Sequence, residues 1–277
     1  MNDTKYLLSI ETNSFNRSLC FVVKLNPFEE KVIEHILQSS APGKHAARSA
    51  LRHLERAWEL ADKMPELAVF SAITAEEESA TALFHVLKIR CYRNAQMLNH
   101  RNHFHKTALH PFLIAMGKLF HEFTDSYSPK LEFNSELSSD STERLRLRLT
   151  VPSKEGKQLW AYTLPPLEFT VSIDGVVHKF EPELSQLAAE KNVASAYAYV
   201  QKLSNRRNLA IYAASNGIPH FTEDIEPFLI YRKSAVFSHL FAILLIDPYP
   251  EHQSFVQQAL IAFLCMLRAM PDESYKK

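Results

Sequence analysis

Residues 144–151 read RLRLRLTV, and so strict an alternation leaves the backbone one solution. Leu145, Leu147, Leu149 and Val151 share one side of an extended chain and Arg144, Arg146 and Arg148 the other, because successive Cβ atoms of a strand point to opposite faces. The result is a half-buried strand with a basic outer face. Downstream, LEFTVSIDGVVHKFE (167–181) gives two more alternating runs joined by Asp174-Gly175, a pair that tolerates positive φ at both positions of a tight hairpin. Upstream, YLLSI (6–10), RSLCFVVKL (17–25) and KVIEHILQ (31–38) are short apolar runs separated by Asn- or Pro-bearing breaks, and they read as a three-stranded meander.

Elsewhere the apolar period is that of a helix. Ala47, Leu51, Leu54, Trp58 and Ala61 recur at spacings of three and four, and Pro65 closes that pattern. A second helical pattern runs from Glu66 to about Arg93, and a third from about Ala95 to Pro111, where a fresh helix opens. Beyond Pro182 helices return, notably at 193–215 and 252–270. The fold class is therefore α+β in segregated blocks: an N-terminal β meander (1–40), an all-helical bundle (41–128), a β-hairpin region (129–181) and C-terminal helices (182–277). SELSSDSTE (135–143) has the composition of a mobile loop.

The 31 basic residues balance 31 acidic ones, so contact with a nucleic acid has to come from a local cluster, not from the field of the whole molecule. Cys20, Cys91 and Cys265 are odd in number and sit among apolar neighbours, which reads as buried free thiols in a reducing compartment. The start MNDTKYLLSIETNS has no basic stretch leading into a long apolar one, and the apolar run Leu240–Ile246 is far too short to span a bilayer. These features give the expectation of a cytoplasmic chain with no membrane contact. With only five glycines there is no GxGxxG, Walker A or GxSxG pattern, which argues against nucleotide-binding and α/β-hydrolase chemistry.

The segment RNAQMLNHRNHFHK (93–106) concentrates the chemistry. On a helical wheel Arg93, Gln96, His100, His103 and His110 form one polar arc bordered by Met97 and Phe104, with Arg101 within the same segment; a plain surface helix shows such an arc too. In the preceding pattern Glu77 falls inside the apolar stripe of Phe70, Ile73, Ala80, Leu83, Phe84 and Leu87, and Glu76 toward its edge. A carboxylate there needs a cation, and the basic segment next in sequence is the expected supplier. His100 and His103, one turn apart, could join Glu77 on a metal, but there is no HExxH or paired Glu-x-x-His, so neither metal nor cofactor is expected.

AITAEEESATALFHVLK followed by RNAQMLNHRNHFHK resembles the HEPN superfamily over residues 45–125, and its abortive-infection AbiV-like branch in particular. Those helical domains place an Ala/Glu-rich helix ahead of an arginine and a histidine with four to six residues between them, often with a polar residue after the arginine. The spacing occurs at Arg48 to His53, Arg93 to His100 and Arg232 to His239. The Glu-rich helix, the Asn after the arginine and the six histidines from His85 to His121 single out Arg93, Asn94 and His100. The resemblance implies a dimeric, metal-independent ribonuclease that cleaves single-stranded RNA through its 2′-hydroxyl. His100 would be acid or base, Arg93 the phosphate clamp and Asn94 an orienting group, with Glu77, Gln96, Arg101, His103 and His110 as binding residues. The competing class is a noncatalytic module that binds protein or nucleic acid through the Arg144, Arg146 and Arg148 face or the Arg206-Arg207 pair.

Overall fold

The computed structural model describes residues 23–39, 43–124, 127–137, 140–151, 159–168, 171–173, 176–178, 184, 186, 190–212 and 224–271. Among them are seven α-helices: α1 (Pro27–Gln38), α2 (Lys44–Leu60), α3 (Pro65–Ile89), α4 (His103–Thr124), α5 (Glu190–Ile211), α6 (Ile225–Ile246) and α7 (Ser254–Ala269). Strands β1 (Lys130–Asn134), β2 (Arg144–Val151) and β3 (Leu159–Tyr162) form one antiparallel sheet in that order, and β4 (Val171–Ile173) pairs with β5 (Val176–His178). The fold is α+β and mostly helical. The chain divides into two compact units, one of residues 1–85 and 200–240, the other of residues 86–199 and 241–277.

In the first unit the run KVIEHILQ is helix, not strand. Asn26 caps it by accepting from the backbone N–H groups of Phe28 (3.0 Å) and Glu29 (2.9 Å), and the Glu29 carboxylate accepts from the Asn26 N–H (2.9 Å). With Pro27 at the first turn this is a complete capping box, which offsets the lost backbone pairing at a helix start by about 1 kcal/mol. Val32, Ile33, Ile36 and Leu37 are buried, a spacing of one, three and one that fits a helix face better than strand alternation. The runs at 6–10 and 17–22 lie outside the described residues.

Helix α2 buries Ala47, Ala50, Leu51, Leu54 and Ala57, the stripe its period predicts, displaced slightly from Trp58. Gly43, at its N-cap, lies so close to α3 that a Cβ would come 2.7 Å from the Ala82 carbonyl oxygen. Only glycine allows that approach. Pro65 opens α3 instead of merely ending α2, as proline does at a first helical turn.

In the second unit α4 continues through Pro111, which lies inside the helix and starts no new one. It packs on α7, with Phe112 against Phe263 (ring centroids 5.1 Å) and Phe120 against Phe255 (6.2 Å). Strand β2 has the bounds read from the alternation, but the basic outer face does not exist. Arg146 is 1% exposed, among the largest fully buried side chains, with Nε donating to the Asn134 carbonyl at 3.4 Å. Arg148 pairs with Glu132 at 2.9 Å, and Arg144 with Asp140 at 2.6 Å. The ladder's charges are answered from β1 and the β1–β2 connection. Ile173 faces Val176 across the small hairpin, while the turn residues 174–175 lie outside the described ones.

Cys91 and Cys265 are free and exposed, against the expectation of burial; one sits just past the end of α3 and the other on an outward position of α7. Among the described residues α6 alone is long and apolar enough to cross a membrane, and 61% of its apolar window is buried within the protein.

Candidate nucleic-acid interface

The end of α3 sets the geometry of the basic segment. Tyr92 N–H donates to the Leu87 carbonyl and Cys91 N–H to that of Lys88, both at 3.1 Å, with Cys91 in the left-handed region at φ 55°. This is a Schellman ending with cysteine where glycine is usual. Immediately after it, Ala95 N–H donates to the Tyr92 carbonyl at 3.0 Å, and Asn94 takes φ 70°, ψ 4°. Those angles belong to the third residue of a type II turn, where Asn is one of few side chains tolerated. A single 3-10 turn, Ala95–Met97, follows, and α4 begins only at His103.

Arg93, Gln96 and His100 therefore do not lie on a helix, and the continuous arc is not formed. Two chain reversals intervene that a periodic wheel cannot represent. Arg93, Asn94, Gln96, Arg101 and His103 are exposed, and His100 is half-buried. His110 is only 3% exposed, on α4, its ring 6.3 Å from that of Tyr199. His103, at the first position of α4, shares no helix with His100, and among the described residues no cluster of three metal-ligating side chains exists.

What holds the turn is the α6–α7 connection together with the first turn of α7. Gln257 grips the Arg93 backbone twice, its Oε1 accepting from the N–H at 2.7 Å and its Nε2 donating to the carbonyl at 3.0 Å. The Tyr92 ring stacks on His252 at 4.7 Å, and its hydroxyl accepts from the Gln253 N–H at 3.2 Å. Arg90 pairs with Asp247, and its carbonyl lies 2.7 Å from His252 Nε2. Gln253, fully buried, also accepts from Leu167 N–H (2.6 Å) and donates to the Leu245 carbonyl (2.9 Å). With its backbone fixed, Arg93 projects from the turn without spending entropy on ordering the main chain.

The local charge is one-sided. From Ser79 to His121 the sequence has no Asp or Glu but six Lys or Arg and six His. Arg90 is neutralised by Asp247, whereas Lys88, Arg93 and Arg101 have no side-chain ion pair among the described residues. The imidazole of His100 is held below the usual histidine range by its burial and then by the positive charges of Lys88, Arg101 and Lys106. It is neutral at pH 7, surrounded by cations.

In the first unit α3 carries the buried carboxylates. Glu77 is 5% exposed, as its place on the stripe predicts, and Glu76 is fully buried. The cation paired with Glu76 is Arg232 of α6, itself 4% exposed, and Ser79 Oγ lies 2.8 Å from Nδ1 of the fully buried His239. Sequence reasoning gave those partners no role, although Arg232 and His239 show the same spacing as Arg93 and His100. The signal was present in the apolar window of α6, where an arginine and a histidine have to find buried partners. Arg206 and Arg207 stack on Phe228 (5.3 Å) and Phe70 (5.6 Å). No protein-family model matches the chain, nor does any curated protein or solved structure.

Proposed function

We propose that this protein binds single-stranded RNA through the basic turn of its second unit. One observation carries the reading: an acid-free stretch that ends one helix and forms the turn after it leaves Lys88, Arg93 and Arg101 without ion-pair partners among the described residues, in a chain of zero net charge. Cations left unpaired on fixed backbone are suited to phosphates, whose condensed counterions they release on binding. The arginine ladder of β2 is spent internally and Arg206 and Arg207 lie on aromatic rings, so neither competes as the contact surface.

Metal-independent cleavage is a second reading, favoured by the state of His100. A neutral imidazole beside several cations can take a 2′-hydroxyl proton while the arginines hold the charge that grows on phosphate. Another pair of HEPN-like spacing, Arg232 and His239, is buried with Glu76 and Ser79 in the first unit, which argues for a role in packing and against one in cleavage.

The test is anisotropy of a labelled RNA 20-mer from 50 to 300 mM KCl, with cleavage followed in EDTA. Arg93→Ala is expected to flatten the logarithmic salt dependence by roughly 0.7, one phosphate contact on a single strand. Cleavage that survives EDTA and disappears in His100→Ala supports the second reading. Equal affinity and equal salt slope for wild type and Arg93→Ala would end the first.

A further inference from the structure

We propose that Arg268 is a further phosphate contact and that the outward side of α7, from Gln257 to Arg268, carries the strand onward from the basic turn; the inference rests on the RNA-binding reading and gives that site its length. Gln257 and Arg268 are about three helical turns apart on α7, which brings them to within about 20° of the same side and separates them by about 16 Å along the axis. Both touch the turn. Gln257 holds the Arg93 backbone, and the Arg268 guanidinium donates to the Met97 sulfur at 3.5 Å. The segment 93–97 therefore lies along α7, and exposed Ile261 and Cys265 continue that side of the helix between the two contacts.

Arg268 has donors to spare. A guanidinium carries five N–H groups, a thioether is a weak acceptor, and among the described residues no carboxylate pairs with this arginine. Arg148, by contrast, is answered by Glu132. Residues 252–271, like 79–121, include no Asp or Glu, so the two stretches that meet here bring cations without a counter-charge of their own. The Glu168 carboxylate is taken up by Ser254 at the far end of α7. An occupant has to supply anionic groups at intervals and apolar surface between them. A single strand does so, with phosphates for Arg93 and Arg268 and uncovered base faces for Ile261 and Met97, which are 43% and 45% exposed. About 16 Å is several times the rise of about 3.4 Å per phosphate along a stacked strand, so the two arginines meet phosphates several nucleotides apart.

Anisotropy of a labelled uridine 12-mer with the full chain, from 50 to 300 mM KCl, tests this. Arg268→Ala should flatten the logarithmic salt dependence by roughly 0.7, as is expected of Arg93→Ala, and the double variant by about 1.4. Lys202→Ala, which removes an exposed charge of the first unit, should leave it unchanged. Ile261→Glu should weaken binding by about ten-fold or more, because it sets a carboxylate in the path of the phosphates. Thermal melts confirm that the variants fold. If Arg268→Ala keeps wild-type affinity and slope while Arg93→Ala loses both, the site ends at the turn, and the inference falls while RNA binding stands. If wild type does not bind the 12-mer, both readings fall. If Met97→Leu reproduces the loss seen in Arg268→Ala, the arginine acts by steadying the turn and the inference is overturned. A glutamate 12-mer that binds as tightly and depends equally on Arg268 would make the occupant an acidic protein segment, and a concentration-dependent dimer lost in Ile261→Glu with RNA affinity unchanged would make it a second copy; either result overturns the proposal.

Discussion

Glu76 and Arg232 form an ion pair in which neither side chain reaches solvent, linking positions 156 residues apart in sequence. Its strength as a stabiliser is limited by the desolvation of both charges, but its rupture is costly because one charge stays behind. Glu76→Ala should therefore lower stability by about 3–5 kcal/mol in urea unfolding, and Glu76→Gln by less, whereas Glu76→Leu with Arg232→Met should come close to wild type. A loss of under about 1 kcal/mol for Glu76→Ala would mean that the pair does not exist in solution.

Cys91 occupies a position where a side chain is a burden. At φ 55° an L-residue with a Cβ is strained by about 1 kcal/mol relative to glycine. Cys91→Gly should raise stability by roughly that amount, and Cys91→Val should lower it, since a β-branched residue tolerates this region least. Thermal melts of the two variants in reducing buffer test the ordering.

The charge on His53 is linked to folding. Burial first, then Arg56, hold its pKa below the ordinary value against the opposing pull of Glu78, and its Nδ1 is buried with no hydrogen-bond partner among the described residues. The unfolded chain binds this proton more readily than the folded one, so stability is at its full value above about pH 6.5 and declines as pH falls through that value. His53→Gln should flatten the decline between about pH 6.5 and 5. An unchanged pH profile in that variant would assign the acid sensitivity elsewhere.

His100 gives the proposed RNA binding a pH dependence of definite sign. Its pKa is depressed in the free protein, first by burial and then by Lys88, Arg101 and Lys106, and a phosphate placed among those cations would screen them and raise it. Binding then takes up a proton, so affinity should increase as pH falls below about 6.5 and level off once the free imidazole is itself protonated. His100→Gln should remove that dependence, and an increase in affinity with rising pH would contradict the placement of the phosphate.

The strand at 144–151 and the helical stripe of α2 were legible because each depends on a local period, which the backbone translates directly into a buried face. Buried Glu77 was legible for the same reason. The destinations of Arg146, Arg148 and Arg232 were not, since alternation says which side of a strand a residue occupies and nothing about what covers that side. The arc from Arg93 to His110 failed on two residues, Cys91 and Asn94, whose positive φ interrupts the helix without any Gly or Pro to announce it. The helix at 27–38 was hidden by its β-branched residues, although Asn26, Pro27 and Glu29 spell its cap.

The anchors of the basic turn also impose an order on its assembly. Arg90, Tyr92 and Arg93 are secured by Asp247, Gln253 and Gln257, partners 157, 161 and 164 positions later in the chain. At about 5–20 residues per second of synthesis, the turn waits roughly 8–30 s after leaving the ribosome before anything can hold it. During that interval the cations are carried on slack chain, where any grip on a polyanion costs the entropy of ordering it. A nascent chain thus completes this turn only when the last two helices have arrived.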